Sequence, residues 1–256
     1  MFRIVFIAIS IIASPLFAQE TVVVDLSQNR IEITATYSGS NIFVFGAVKR
    51  DTPLPAGTGS LDVAIVIEGP LETVTVRKKE KKLGIWVNSD AVEIHRAPSF
   101  FTIATTRPLE EMLNEGDRRD YAIGLDYAVR PQPDAEDDID ANIESFAEAV
   151  VRIREDDGLY SQREGLVNLT DDILFEAGIS LPANLVEGDY TARIYLVRDK
   201  NIVADAAVEI TVRKAGLEAW LYDLSRENSL LYGLLSLLVA LVAGYGASEI
   251  FRRLKR

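Results

Sequence analysis

Tyr190-Thr-Ala-Arg-Ile-Tyr-Leu-Val-Arg198, then Asp199-Lys-Asn201, then Ile202-Val-Ala-Asp-Ala-Ala-Val-Glu-Ile-Thr-Val212, is the stretch that decides the fold class. In the first run Tyr190, Ala192, Ile194 and Leu196 occupy every second position. In the last, Ala206, Val208, Ile210 and Val212 alternate with Ala207, Glu209 and Thr211. A period of two puts one set of side chains on one face of a strand. Asp-Lys-Asn between them has turn composition. The reading is a β-hairpin.

The same signal extends upstream. Ile173–Ile179 reads as a strand, joined to the hairpin by the turn-rich connection Leu181–Asp189. Arg30–Tyr37 alternates and predicts a half-buried strand. Ile42–Val48 and Leu61–Ile67 are more continuously apolar and predict central strands. Asp51–Ser60 is a loop by its Pro and Gly content. Thr73–Arg77 and Leu83–Val87 read as a hairpin with a Lys-rich turn, followed by strands over Ala91–His95 and Phe100–Thr105. Short strands at this spacing predict a mainly β protein with an immunoglobulin-like sandwich. The period changes after Thr106. Pro108–Asn114 predicts a short helix. Ile139, Ile143, Phe146, Val150 and Ile153 then follow at steps of four, three, four and three, one helical stripe that needs a sheet to pack on.

The two ends differ from this body. Met1-Phe2-Arg3 followed by the apolar Ile4–Ile12 and cleavage after Ala18 reads as a secretory signal over 1–18. Ser229–Ala247 is uncharged over 19 residues, about 28 Å as a helix, and matches a hydrocarbon core of about 30 Å. Trp220, Tyr222 and Tyr232 lie on its N-terminal side and Tyr245 and Phe251 near the other end, and Arg252, Arg253, Lys255 and Arg256 follow it. Basic residues there predict a cytoplasmic carboxyl end by the positive-inside rule. The organisation expected is a β-sandwich over 19–106, a helical segment over 107–160, a second β-rich module over 161–215, a juxtamembrane segment over 216–228, a transmembrane helix over 229–250 and a basic tail over 251–256.

Composition narrows the chemistry. The 256 residues carry 27 Lys/Arg against 39 Asp/Glu, a net charge of −12, with one His and no Cys. Taking Arg3 and the four tail cations from the 27 leaves 22 basic residues against the same 39 acidic ones. An acidic body argues against a nucleic-acid partner. Thiol chemistry and two-His zinc motifs are excluded, and no cofactor loop is visible. His95 lies near Ser89, Asp90 and Ser99, but no Gly-x-Ser-x-Gly elbow accompanies it. Asp138-x-Asp140-x-Asn142 opens like a calcium loop, yet Ile143 stands where the turn glycine belongs and Ala149 where the closing Glu belongs. No catalytic, cofactor-binding or metal-ligating residue is assigned, and the chain does not read as an enzyme.

Two segments remain as candidate sites. Arg77, Lys78, Lys79, Lys81 and Lys82 form a basic patch on an acidic body, suited to anionic headgroups, an anionic solute or an acidic partner, or else to a solvated turn. Ser236, Ala240, Gly244 and Ser248 recur every four residues in the apolar stretch, with Gly233 beside them. Small residues let helix backbones approach in lipid, so this face suits a membrane partner or a second copy.

Gly84-Ile-Trp-Val-Asn88, Pro98-Ser-Phe-Phe101, Thr106-Arg-Pro-Leu109, Leu181-Pro-Ala-Asn184, Gly188-Asp-Tyr190 and Tyr195-Leu-Val-Arg198 occur together, in order, ahead of the apolar helix and its Arg-rich end. In these segments the chain resembles the alphaproteobacterial transmembrane protein family of the Alph_Pro_TM type over nearly all of its mature length. The family brings no assigned catalytic or ligand residue. The resemblance implies a bacterial inner-membrane protein and, by association, a sulfite-exporter-type permease as neighbour. The expectation is a single-pass protein with a periplasmic β-rich domain, acting as a non-catalytic accessory or interaction subunit. The alternative is a periplasmic ligand-binding or sensory module for a small anion.

Overall fold

The computed structural model describes residues 20–50, 57, 59–129 and 141–254. The expected signal over 1–18, most of the Asp51–Ser60 loop, Ile139 and the acidic Asp138 and Asp140 lie outside the described residues.

In chain order the elements are β1 (Glu20–Leu26), β2 (Arg30–Ile33), β3 (Ser40–Arg50), β4 (Leu61–Glu68), β5 (Leu71–Lys82), β6 (Ile85–Pro98), β7 (Phe101–Thr105), α1 (Leu109–Met112), α2 (Glu115–Asp120), α3 (Leu125–Ala128), α4 (Ala141–Asp156), β8 (Tyr160–Arg163), β9 (Asn168–Thr170), β10 (Leu174–Leu181), β11 (Gly188–Arg198), β12 (Asn201–Lys214), α5 (Leu217–Glu227) and α6 (Ser229–Leu254). The protein is mainly β, as its alternation predicts.

The strands make three sheets. One has the order β1-β3-β10-β9, the second β2-β12-β11-β4-β7-β8, and β5 and β6 pair alone. The deciding hairpin is observed: β11 pairs antiparallel with β12 from Gly188 opposite Val212 to Arg198 opposite Asn201. Asp199 and Lys200 turn it with left-handed φ angles of 50° and 65°. Ile42–Val48 and Leu61–Ile67 are central, as their continuous hydrophobicity predicts. β3 lies between β1 and β10, and β4 between β11 and β7.

Pairing between distant segments corrects the expected partition. β10 pairs with β3, and β11 with β4. The strands of 161–215 therefore complete the same two sheets as those of 19–106 and do not build a module of their own. Alone, these strands would leave an apolar face uncovered, and joining the earlier strands removes it from water. Val44, Ile42, Phe175 and Ile179 from one sheet and Ile65, Ile67, Ile194 and Leu196 from the other share one buried core.

Helices cover part of the six-stranded sheet. Tyr195, on the opposite face of β11 from Ile194, meets Tyr121 edge-on at 5.6 Å between ring centroids. In α4, Phe146, Ala147 and Val150 are buried while Ile153, assigned to the stripe, is half exposed. Steps averaging 3.5 residues drift around a helix of 3.6 residues per turn. In the last turn Arg154 faces inward instead, its Nη2 donating to Glu72 Oε2 at 3.2 Å.

Three strand boundaries also differ. β2 stops at Ile33, because Tyr37 N donates back to Thr34 O at 3.0 Å and closes a turn. β6 joins Ile85–Val87 and Ala91–His95 in one strand. The hairpin turn is Leu83-Gly84, with φ angles of 51° and 87°, and the lysine run lies within β5. A two-residue turn with both φ positive matches strand twist and favours Gly. The segment over 216–228, read only as juxtamembrane, contains the helix α5.

Candidate functional site

α6 is the first expected site. Ser229–Ser248 has mean hydropathy 2.0, and none of that span is buried by the rest of the chain. Leu230, Leu234, Leu237 and Leu241 lie at 65–90% exposure, far above what a water-facing helix tolerates in a row. Gly233, Ser236, Ala240, Gly244 and Ser248 fall within about 120° of the helix circumference at 100° per residue. A Cβ added at Gly233 or Gly244 meets nothing within 4 Å. Ser236 Oγ donates to Tyr232 O at 2.9 Å, so its hydroxyl is satisfied inside the helix. Trp220 and Tyr222 of α5 are exposed ahead of the span, and Arg226 lies 5.4 Å from the Tyr222 ring centroid. That arrangement of amphipathic rings beside an apolar span is characteristic of a bilayer interface.

The second expected site, Arg77, Lys78, Lys79, Lys81 and Lys82, lies in the distal half of the β5–β6 hairpin. All five are exposed. Lys82 Nζ stands 3.9 Å from Glu80 Oε2. Leu83, Ile85 and Trp86 at the tip are exposed as well.

His95 sits at the base of this hairpin, its Nδ1 3.4 Å from Thr73 Oγ1, and Ser89 donates to the Lys78 carbonyl. Ser99 is fully buried and Asp90 faces Lys78 across the strands. These four residues are thus not brought together as a hydrolytic triad requires. Among the described residues no group of three or more His, Asp or Glu converges as a metal site would require.

Two buried charge clusters have no counterpart in the sequence reading. Glu20 on β1 takes Arg50 Nε at 2.7 Å and Arg198 Nη2 at 3.0 Å on one oxygen, with its side chain 3% exposed. Arg198 also donates to Gly59 O. Burial opposes ionisation of Glu20, but hydrogen bonds from Arg198 and Arg50 and their charges outweigh it and hold the carboxyl below its ordinary value. The second cluster is Asp62 of β4, which accepts from Arg107 Nε at 2.9 Å and Thr106 Oγ1 at 2.9 Å. The hydrogen bond to Asp62 raises the pKa of the Arg107 guanidinium. A carboxylate interrupting the apolar run Leu61–Ile67 was the available signal for this pair. Both clusters are saturated with partners and are structural ties.

Two cavities open beside the helical cover. One, of about 330 Å³, is lined by Glu68 and Asp120 against Arg96 and Arg193, with Tyr121 and Tyr195. Arg193 is already paired with Glu68. The other, about 520 Å³, has Glu110, Glu115 and Asp126 against Arg118 and Lys200. One lining is balanced and the other net negative, which is not the field that attracts an anion.

A β-sandwich followed by an uncovered apolar helix with interfacial aromatics defines a membrane-anchored protein with one candidate span among the described residues. The family profile described as "Putative transmembrane protein (Alph_Pro_TM)" matches residues 21–253, and the chain belongs to that family. The match covers both sandwich and helix. No curated protein matches the chain. Among solved structures, the sporulation control protein Spo0M from Bacillus subtilis is 8% identical with a TM-score of 0.31, over 83% of this chain and 56% of that one. The chain spans little more than half the length of that structure, and a likeness at this level carries no argument.

Proposed function

We propose that this protein is a single-pass inner-membrane protein with its β-rich body in the periplasm and its carboxyl end in the cytoplasm. It acts without catalysis, as an accessory or interaction subunit of a membrane transporter. One observation carries the reading: the small-residue face of α6 has no partner within the described chain, while the helix is otherwise bulky with Leu and Val. In lipid the hydrophobic effect does not drive helix association, so close backbone approach at Gly and Ala supplies it. The basic residues Arg252, Arg253, Lys255 and Arg256 support the orientation. The resemblance supports a sulfite-exporter-type permease as the partner.

The test is purification of the tagged full chain from native membranes in mild detergent, beside A240I/G244I. Recovery of a permease with the wild type and its loss with the variant supports the reading. Recovery of the same monomer from both rejects it.

A further inference from the structure

The β5–β6 hairpin is an extension of the body, not an isolated ribbon. β4 pairs with β7 up to Glu68 opposite Phe101. Gly69 N then donates to Phe100 O at 2.8 Å and Ser99 N to Pro70 O at 2.9 Å. The ladder resumes at Leu71 opposite Pro98 and reaches Lys82 opposite Ile85, with register shifts between Glu72 and Val74 and between Lys78 and Lys79 that leave the alternation along β5 itself intact. From Leu71 to Lys82 the chain advances about 36 Å at about 3.3 Å per residue.

The direction of departure matters. β4 and β12 both flank β11 antiparallel, so they run the same way. Thr191 lies opposite Glu68 on one side and Glu209 on the other. β12 ends five residues past Glu209, at Lys214, and leads through α5 to α6. The hairpin and the membrane helix therefore leave the sandwich from the same end.

Strand alternation sorts the hairpin's charges into two unlike faces. Lys78, Glu80 and Lys82 share one face, across from Asp90, Val87 and Ile85. Two cations there meet two carboxylates. Arg77, Lys79 and Lys81 share the other, across from Ala91, Asn88 and Trp86. No acidic residue lies on that face between Arg77 and the tip. The face nearer neutrality continues into Val76 and Ile94, which are buried against the body, so the cationic face is the outward one. Beyond it stand Leu83, 105% exposed, and Trp86, 68% exposed.

Three cations in a row, an aromatic ring on the same face and an apolar tip are what an anionic bilayer surface binds: charge to phosphates, ring and aliphatic tip to the interface. We propose that this hairpin is a second membrane contact. Arg77, Lys79 and Lys81 lie on anionic phospholipid headgroups, with Trp86 and the Leu83–Ile85 tip entering the interfacial layer. The sandwich would then be held at two points, by α6 and by the hairpin, which fixes its tilt on the membrane. The proposal needs α6 in a bilayer but not a particular side or a transporter partner.

Trp86 reports on it directly. The chain has two tryptophans, so W220F leaves Trp86 alone. Full-length W220F is reconstituted in bilayers with brominated acyl chains, of phosphatidylcholine alone or with phosphatidylglycerol. The expected result is quenching of Trp86 in the phosphatidylglycerol bilayers, relieved by high salt. Adding R77Q/K79Q/K81Q lowers the contact equilibrium about 100-fold, at roughly fivefold per cation near an anionic surface. Adding K78Q/K82Q on the other face leaves quenching in place, and circular dichroism confirms that both variants are folded. Equal quenching in the two lipids, or equal loss in the two variants, overturns the proposal. So does a Trp86 that stays unquenched in lipid and shifts only when native membrane proteins are added, an outcome that assigns the face to an acidic protein partner.

Discussion

Glu20 and Arg198 are 178 residues apart in the chain and meet at 3.0 Å between the two sheets of the sandwich. Arg50 closes the cluster from β3, so one carboxylate ties the first strand to β11 of the opposite sheet. Such a tie specifies which sheets pack, and the specificity comes at a desolvation cost that the three hydrogen bonds offset.

Removing the carboxylate leaves Arg198 buried without a counter-charge. E20Q is expected to destabilise the body by about 3 kcal/mol, read from urea denaturation of the full chain in detergent. The pH dependence follows from the lowered pKa of Glu20. Its contribution is complete above the ordinary carboxylate value and is lost as pH falls through the lower folded value. The wild type should lose stability on acidification in that window, and the difference between wild type and E20Q should shrink there.

Arg107, in the Thr106-Arg-Pro-Leu109 segment, forks onto the buried carboxylate of Asp62. R107A strips Asp62 of its fork and should cost about 1–3 kcal/mol. E111A removes only an exposed pair at 3.7 Å and should fall below about 0.5 kcal/mol. Equal shifts in thermal midpoint for the two would contradict the assignment.

Two glycines separate the fold from the membrane face. A Cβ at Gly46 would stand 2.4 Å from Phe175 Cζ and 2.5 Å from Val23 O. G46A is expected to cost about 1–3 kcal/mol through overpacking. G244A, with open space around it, should leave the body's denaturation curve unchanged.

Val150 and Ile153 test the drift of the α4 stripe. V150A opens a cavity in the core and should cost about 2 kcal/mol. I153K, at a half-exposed position, should shift stability by no more than about 0.5 kcal/mol.

The absence of cysteine makes the proposed orientation directly readable. S38C lies on the exposed surface of the body and should react with an impermeant maleimide in intact spheroplasts. K255C should react only after permeabilisation. The reverse pattern would invert the topology.

Much of this architecture was legible from local pattern alone. The period-two runs at Tyr190–Val212 and the continuous run at Leu61–Ile67 announce strands, because a pleated strand exposes alternate residues and a central one hides both faces. The apolar length of Ser229–Ala247 announces a span, because hydrocarbon thickness is a fixed ruler. Tertiary structure alone decided that β10 and β11 join β3 and β4, since pairing partners so far apart in the chain leave no mark in a single strand's pattern. It also decided that Glu20, Arg50 and Arg198 converge, and that Arg77, Lys79 and Lys81 share an outward face while Lys78 and Lys82 meet carboxylates. A charge run states only how many cations there are. Strand register and the position of the Leu83-Gly84 turn determine which way each one points.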